Sequence, residues 1–325
     1  MSVNILLPLD GSAFSEHALP AALELARRLS ARLHLVHVHE PPMPLAADGA
    51  AVVEAELSAS LRGQEEEYLR SAANRCQETA GVATRTELLE GPVATALASY
   101  SHDVAIDLVV MSTHGRSGIS RAWVGSVADA VVRRSAVPVL LLRPHDHQEP
   151  APLECRHILV PLDGSSLAEG ILGPVSLLCR VFGPRFTLLR VVPPMQVEAG
   201  GSGPAVLTQA PAAIERAVAI ARAYLETVAA SWRAAGASVE TAVQVHSIPA
   251  VAILDYAGTH AVDLVTMATH GRGGWSRVAL GSVADKVMRG TMMPVLLYRP
   301  PAAMPQGPAF RADLDAGGRR IALEH

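Results

Sequence analysis

The sequence is short of lysine, of cysteine and of long hydrophobic runs, and each shortage removes a class of protein. A single lysine, Lys286, stands among 325 residues. It follows an aspartate, so the G-x4-G-K-S/T phosphate loop is absent and any nucleoside triphosphate must be held without the usual lysine. The excess of arginine over lysine reads as genome composition. Cys76, Cys155 and Cys179 are widely spaced and form no CxxC pair. That argues against a disulfide framework or a zinc ribbon and fits a reducing cytoplasm. No apolar run reaches the ~18 residues of a membrane span, so no membrane association is expected. The opening MSVNILLPLD has no basic stretch and meets Asp10 early, so no secretory signal is expected. Only 18% of residues are charged, the net charge is −4 and no basic block exists, which argues against nucleic acid as a partner.

What is present is a chain that can bury sizeable cores, and it is written twice. Half the residues are hydrophobic, and the length suits two domains of roughly 150 residues. Residues 4–12 read NILLPLDGS and residues 157–165 read HILVPLDGS, identical at seven of nine positions. Residues 112–144 align without gaps on 268–300 and match at 20 of 33. This period is too long for a solenoid unit and indicates two copies of one domain. The seam, HDHQEPAP at 145–152, is polar and proline-rich, as linkers are. The expected domains are 1–146 and 154–302. A tail, 303–325, ends in Leu-Glu-His, expected to be an expression-vector remnant.

Each copy alternates strand and helix patterns. In the first, strands are expected at 3–7, 32–39, 82–88, 107–111 and 138–143. Helices are expected at 13–30 (with Ser12 as cap), 50–79, 92–101 and 121–134. The second repeats the order, with strands at 157–161, 185–192, 239–245, 263–267 and 294–299 and helices at 167–181, 209–235, 249–258 and 277–289. Five strands with interleaved helices predict an α/β fold: two tandem, doubly wound, five-stranded parallel sheets. Such sheets bind ligands beyond the carboxyl ends of strands, where strand order reverses. The loops after Leu7, Val38 and Met111 should therefore converge.

Between the fourth strand and the next helix of each copy lies T-H-G-x9-G-S. Glycines admit close backbone approach, and a Gly-Ser at a helix start offers free N–H groups, the positive dipole end and a hydroxyl. This is a phosphate cradle. The first strand ends in P-L-D-G-S, whose acid can accept hydrogen bonds from a ribose or an adenine amine. The competing reading makes these glycines turn punctuation between strand and helix. Against it stands the occurrence of both motifs in both copies, with Ser120/Ser276 and Arg121/Arg277 kept as well.

The motifs LPLDGS, LVHVHEPP, LVVMSTHGRSG and VGSVADAVVRRSAVPVLLLRP resemble those of the universal stress proteins, and the resemblance covers residues 1–300. It implies tandem Rossmann-like domains related to the adenine-nucleotide hydrolases. It further implies ATP as ligand, with Mg²⁺ or Mn²⁺ on the phosphates. Carried onto this chain, it implicates Asp10, Val38, Met111, Gly115, Gly125 and Ser126, and the expected site adds their neighbours Pro8, Leu9, Ser112 and Val127. Arg116 and Arg272, directly after the loop glycine, read equally as γ-phosphate contacts or as solvated loop arginines. The second copy supplies Pro161, Leu162, Asp163, Val191, Met267, Ala268, Gly271, Arg272, Gly281, Ser282 and Val283. The family pattern G-x2-G-x9-G-S/T begins with Ser112 here and Ala268 in the second copy. A non-glycine residue there carries strain if the backbone needs a positive φ, and the alanine has no hydroxyl to offer, which points to a weaker second site.

The resemblance implies a cytoplasmic stress-response role exerted through a regulatory protein partner, with at most slow ATP hydrolysis and no named catalytic residue. It also implies pairing of the two nearly identical last strands, VPVLLLRP and MPVLLYRP, as an intramolecular pseudo-dimer, with homodimers as a further level. An interaction scaffold with structural glycine loops is the alternative. A true hydrolase is a third reading, but the SGGxDS loop of ATP pyrophosphatases is missing. His114 and His270 recur in the glycine loop and read as loop-fixing residues. His37 and His39 share one strand face, but Arg190 and Val192 take their places in the second copy, which reads as incidental rather than metal-binding. The proline- or glycine-rich segments 40–49 and 193–203 are expected to be loops.

Overall fold

The computed structural model describes residues 3–41, 50–113, 125–144, 150–194, 196–199, 206–209, 211–270 and 280–301. The chain divides into two units, Met1–Leu153 and Glu154–His325. In the first, β1 (Asn4–Pro8), β2 (Arg32–His39), β3 (Thr84–Glu90), β4 (Leu108–Ser112) and β5 (Val139–Leu142) form a parallel sheet ordered β3-β2-β1-β4-β5. The reversal falls between β1 and β4. Ile5, Leu6 and Leu7 are fully buried, because a central parallel strand is covered by helices on both faces. β3 lies at an edge and spends Arg85, Glu87 and Glu90 there, as edges that must resist further pairing do.

Where one helix is expected over 13–30, there are two: α1 (Ala13–Glu16) and α2 (Leu19–Leu29). Pro20 is the reason. Its ring conflicts with the carbonyl four residues back, on Glu16, where α1 ends. Ser30 closes α2 in the left-handed region, φ 50°, its N–H donating to Ala26 and Arg27 carbonyls. The helices α3 (Ala50–Ala80), α4 (Val93–Asp103) and α5 (Ser126–Arg134) complete the unit. The expected start of α5 at Arg121 lies outside the described residues.

The second unit repeats the plan. Its strands β6 (His157–Pro161), β7 (Arg185–Val192), β10 (Ser238–Val245), β11 (Leu264–Ala268) and β12 (Val295–Tyr298) run parallel in the order β10-β7-β6-β11-β12. Pro174 splits the first helix into α6 (Ser166–Glu169) and α7 (Leu172–Phe182), as Pro20 does above. The helices α8 (Pro211–Ala234), α9 (Pro249–Thr259) and α10 (Ser282–Gly290) follow. The expected loop after β7 instead holds an antiparallel pair, β8 (Gln196–Ala199) with β9 (Val206–Gln209). Asp107 Oδ2 accepts from the Asn4 N–H at 2.9 Å, and Asp263 Oδ2 accepts from the Arg156 and His157 N–H groups at 2.8 Å each. Both acids thereby clamp the start of a central strand. Among the described residues no helix is long and apolar enough to cross a membrane.

Candidate functional site

The corner after β1 explains why D-G-S is written twice. The Leu9 N–H donates to the Val36 carbonyl at 2.8 Å, tying the strand end to β2. Asp10 Oδ1 accepts from the Ser12 N–H at 3.0 Å and from its hydroxyl at 2.6 Å. Ser12 in turn caps α1, accepting from the Ser15 N–H at 3.2 Å. Gly11 sits at φ 79°, where an L side chain is strained. The second unit repeats each contact: Asp163 Oδ1 accepts from Ser165 N–H and Oγ at 2.9 and 2.6 Å, Ser165 accepts from the Ala168 N–H at 3.1 Å, and Gly164 lies at φ 79°. The aspartate thus has a turn to hold whatever else it binds.

The glycine corner after β4 has a similar logic. Ser112 pairs with Leu142 and Ala268 with Tyr298 as ordinary strand residues, and neither is among the positive-φ residues. The departures from the family pattern therefore carry no backbone strain, and that ground for a weaker second site falls away. The Gly125 N–H donates to the Thr113 carbonyl at 2.6 Å, and the Gly281 N–H to the Thr269 carbonyl at 2.8 Å. A Cβ on Gly281 would stand 2.6 Å from that Thr269 oxygen. Only glycine lets the two backbones meet there. The helices that follow have no side-chain N-cap bond, so their first N–H groups keep no intrahelical acceptor. They present the positive end of the helix dipole.

These corners meet at one cavity of about 620 Å³ in the first unit, inside the ~300–1,000 Å³ range of small-molecule sites. Pro8, Leu9, Asp10, Val38, Met111, Ser112, Gly125, Ser126 and Val127 all line it. Gly115, Arg116, Gly271 and Arg272 lie outside the described residues, as does His114. In the second unit Pro161, Leu162 and Asp163 form the corner after β6, and Val191 lies in β7. Met267 and Ala268 end β11, and Gly281, Ser282 and Val283 open α10. His270 Nδ1 lies 3.0 Å from the Thr269 hydroxyl.

Sequence reasoning missed the wall that α3 supplies. Gln64, Glu65 and Tyr68 line the cavity together with His37 and Glu40. The Tyr68 hydroxyl donates to Glu16 Oε1 at 2.8 Å, and Arg75 donates to the same oxygen at 2.9 Å. The second unit builds the same strut: Tyr224 donates to Glu169 Oε1 at 2.8 Å, with the Arg190 guanidinium 5.0 Å from the ring centre. Burial and the adjacent carboxylate push both phenols well above the ordinary tyrosine range. The available signal was Tyr-Leu at matching places in the two long helices, with Leu69 and Leu225 buried beneath.

Two doubly wound units, each with a turn-capped acid and an uncapped helix start at the switch point, define the class as a tandem doubly wound α/β protein. Comparison with known proteins is more specific. The universal stress protein family matches residues 1–143 and again 154–299. The chain belongs to this family, whose members serve in the stress response. A universal stress protein of Mycolicibacterium smegmatis is 26% identical over 301 residues, covering 91% of this chain and 97% of the relative. One from Methanocaldococcus jannaschii is 32% identical over 142 residues, 43% of this chain and 81% of the relative. Among solved structures, a universal stress protein from Archaeoglobus fulgidus superposes with a TM-score of 0.63 at 20% identity, covering 92% of this chain and 97% of that one. A Pseudomonas aeruginosa relative gives 0.61 at 17%, covering 91% and 93%.

Proposed function

We propose that the protein is a cytoplasmic ATP-binding regulator, with ATP in the first-unit cavity and a corresponding site in the second unit. The observation that carries this reading is the meeting, around one cavity, of the Asp10 corner, Val38 of β2 and the uncapped start of α5. The N–H groups of Ser126, Val127 and Ala128 suit phosphate oxygens, as helix starts do. Asp10 and the end of β2 then face the nucleoside. The charge of the triphosphate calls for Mg²⁺ or Mn²⁺ held chiefly by its own oxygens. The residues present fit that division, since Ser126, Val127 and Ala128 at the start of α5 bring N–H groups, and Ser126 a hydroxyl, to the cavity wall.

The reading is one of occupancy, with hydrolysis slow at most. A regulatory effect on a protein partner requires that ATP bind two states of the chain unequally.

The test is native mass spectrometry of the purified chain, followed by calorimetric titration of ATP with and without Mg²⁺. ATP-sized mass steps and a binding heat are expected. Val127→Asp separates ligand binding from folding, because a carboxylate in the first turn suits the helix dipole yet opposes a phosphate. It should lower ATP affinity by about tenfold or more while leaving the melting temperature unchanged or raised. A bare mass and no heat from the unmodified chain would return the protein to the scaffold reading.

A further inference from the structure

The wall of the cavity facing β2 and α3 contains an unexplained nitrogen. His37 and His39 point to the same face of β2 and are 5% and 1% exposed. Glu65 reaches between them from α3. Its Oε2 lies 2.7 Å from His39 Nδ1, and its Oε1 lies 3.4 Å from His37 Nε2. The second nitrogen of His39 is 3.0 Å from the Ser58 hydroxyl. A carboxylate can only accept, so the proton of neutral His37 is assigned to Nε2 and a lone pair is left on Nδ1. That Nδ1 is buried and has no hydrogen-bond partner among the described residues. Buried nitrogens in this state are rare in native proteins and call for a reason.

The fold itself does not require the arrangement. The matching Tyr–Glu struts set the register between α3 and α8, and this places Ala221 where Glu65 stands. On the strand, Arg190 and Val192 stand where His37 and His39 do. His37 itself lines the first-unit cavity. β2 flanks β1 on the side away from β4, so His37 belongs to the end of the cavity remote from the phosphate-binding helix start.

We infer that His37 is the specificity-determining residue of the first site, its Nδ1 accepting a hydrogen bond from the 6-amino group of an adenine base. Glu65 is the positioning residue that holds the imidazole in the accepting tautomer, a common arrangement of histidine with a carboxylate. A small ring adjustment on binding, of the kind interface side chains make, brings Nδ1 to the donor. A 6-oxo purine presents an acceptor at that place, and the two lone pairs repel. A site built to receive a hydrogen bond rejects the ligand that cannot donate it. The inference rests on the nucleotide reading above.

The experiment is calorimetric titration of the full chain with ATP, ITP and 2′-deoxyATP, in a background carrying Val283→Asp so that the second unit does not contribute. The parent should favour ATP over ITP by about tenfold or more. His37→Phe should bring that ratio close to one and leave the ratio of ATP to 2′-deoxyATP unchanged. Glu65→Gln, which keeps the histidine, should lower the ATP-to-ITP ratio in part. An unchanged ATP-to-ITP ratio in folded His37→Phe overturns the inference while the nucleotide reading stands. A change in the deoxy ratio instead assigns the hydrogen bond to the ribose and overturns the amine. If His37→Phe does not fold, the Glu65→Gln ratio decides in the same way. A parent that binds none of the three overturns both readings.

Discussion

Tyr68 donates its phenolic hydrogen to Glu16 Oε1 across 52 residues of chain, at 2.8 Å. The bond pins the long helix α3 to the short helix α1 that carries the Asp10 corner. Removing the hydroxyl in Tyr68→Phe should destabilise the chain by about 1 kcal/mol, the net worth of one such bond. Glu16 keeps Arg75 as a partner, which limits the loss. Tyr224→Phe should behave alike in the second unit. Denaturant midpoints of both variants check this, and an unchanged midpoint would show the strut to be idle.

The same two phenols should resist ionisation. Burial first, then the hydrogen bond to Glu16 or Glu169, raises their pKa. In an ultraviolet titration of the native chain, these two should remain protonated well beyond the ordinary value of about 10. They should ionise only as the fold opens. Two fewer phenolates in Tyr68→Phe/Tyr224→Phe during the ordinary alkaline rise would refute it.

Acid should weaken the fold through His34 and His157. Burial is the main cause lowering both pKa values. His34 meets the Tyr100 hydroxyl at 2.9 Å, and His157 meets the His260 carbonyl and the Thr187 hydroxyl at 2.9 and 2.8 Å. In the unfolded chain histidine titrates near about 6.5. As pH falls through that value the unfolded chain takes up protons before the fold does, so stability is full above it and declines below it. Denaturant midpoints should therefore drop below that pH. Ring-proton resonances of the two residues should shift only at lower pH, and titration at the ordinary value would contradict the prediction.

Two glycine substitutions should move stability in opposite directions. Gly63 lies exposed within α3, and a Cβ there meets nothing within 4 Å. Gly63→Ala should stabilise by about 0.5–1 kcal/mol through the unfolded chain's lost freedom. Gly281→Ala drives a methyl to 2.6 Å from the Thr269 oxygen and should destabilise by about 1–3 kcal/mol, the usual range for overpacking. Thermal melts of the pair test the close approach, and equal melts would discount it.

Thiol labelling should be slow in the native state. Burial pushes the Cys76 thiol up to about 11 and raises Cys179 as well. Cys76 and Cys155 are buried, while Cys179 is partly exposed. The expected order is Cys179 first, with Cys76 and Cys155 reacting only on unfolding, as peptide mapping after timed alkylation would show.

The sheet plan was legible because each central strand is a short unbroken apolar run and each run occurs twice. Local breaks were less so. The kinks at Pro20 and Pro174 were visible as prolines, but helical spacing continues across them. The β8–β9 pair was masked by Gly200, Gly201 and Gly203, which read as loop punctuation although they separate two four-residue segments able to pair. The polar cavity wall was not legible at all. His39 and Glu65 are 26 residues apart on different element types, and no local pattern announces that a strand face and a helix face will meet.

The turn at Asp10 bears on how such chains are sorted by their sequences. Every residue of D-G-S is demanded by the corner that launches α1, and Asp163 shows the demand met a second time. A chain of this fold that bound no nucleotide would still be held to that signature by its corner. Scanning genomes for it would therefore gather proteins that fold alike, and the ligand would have to be sought a helix away, in what faces His37.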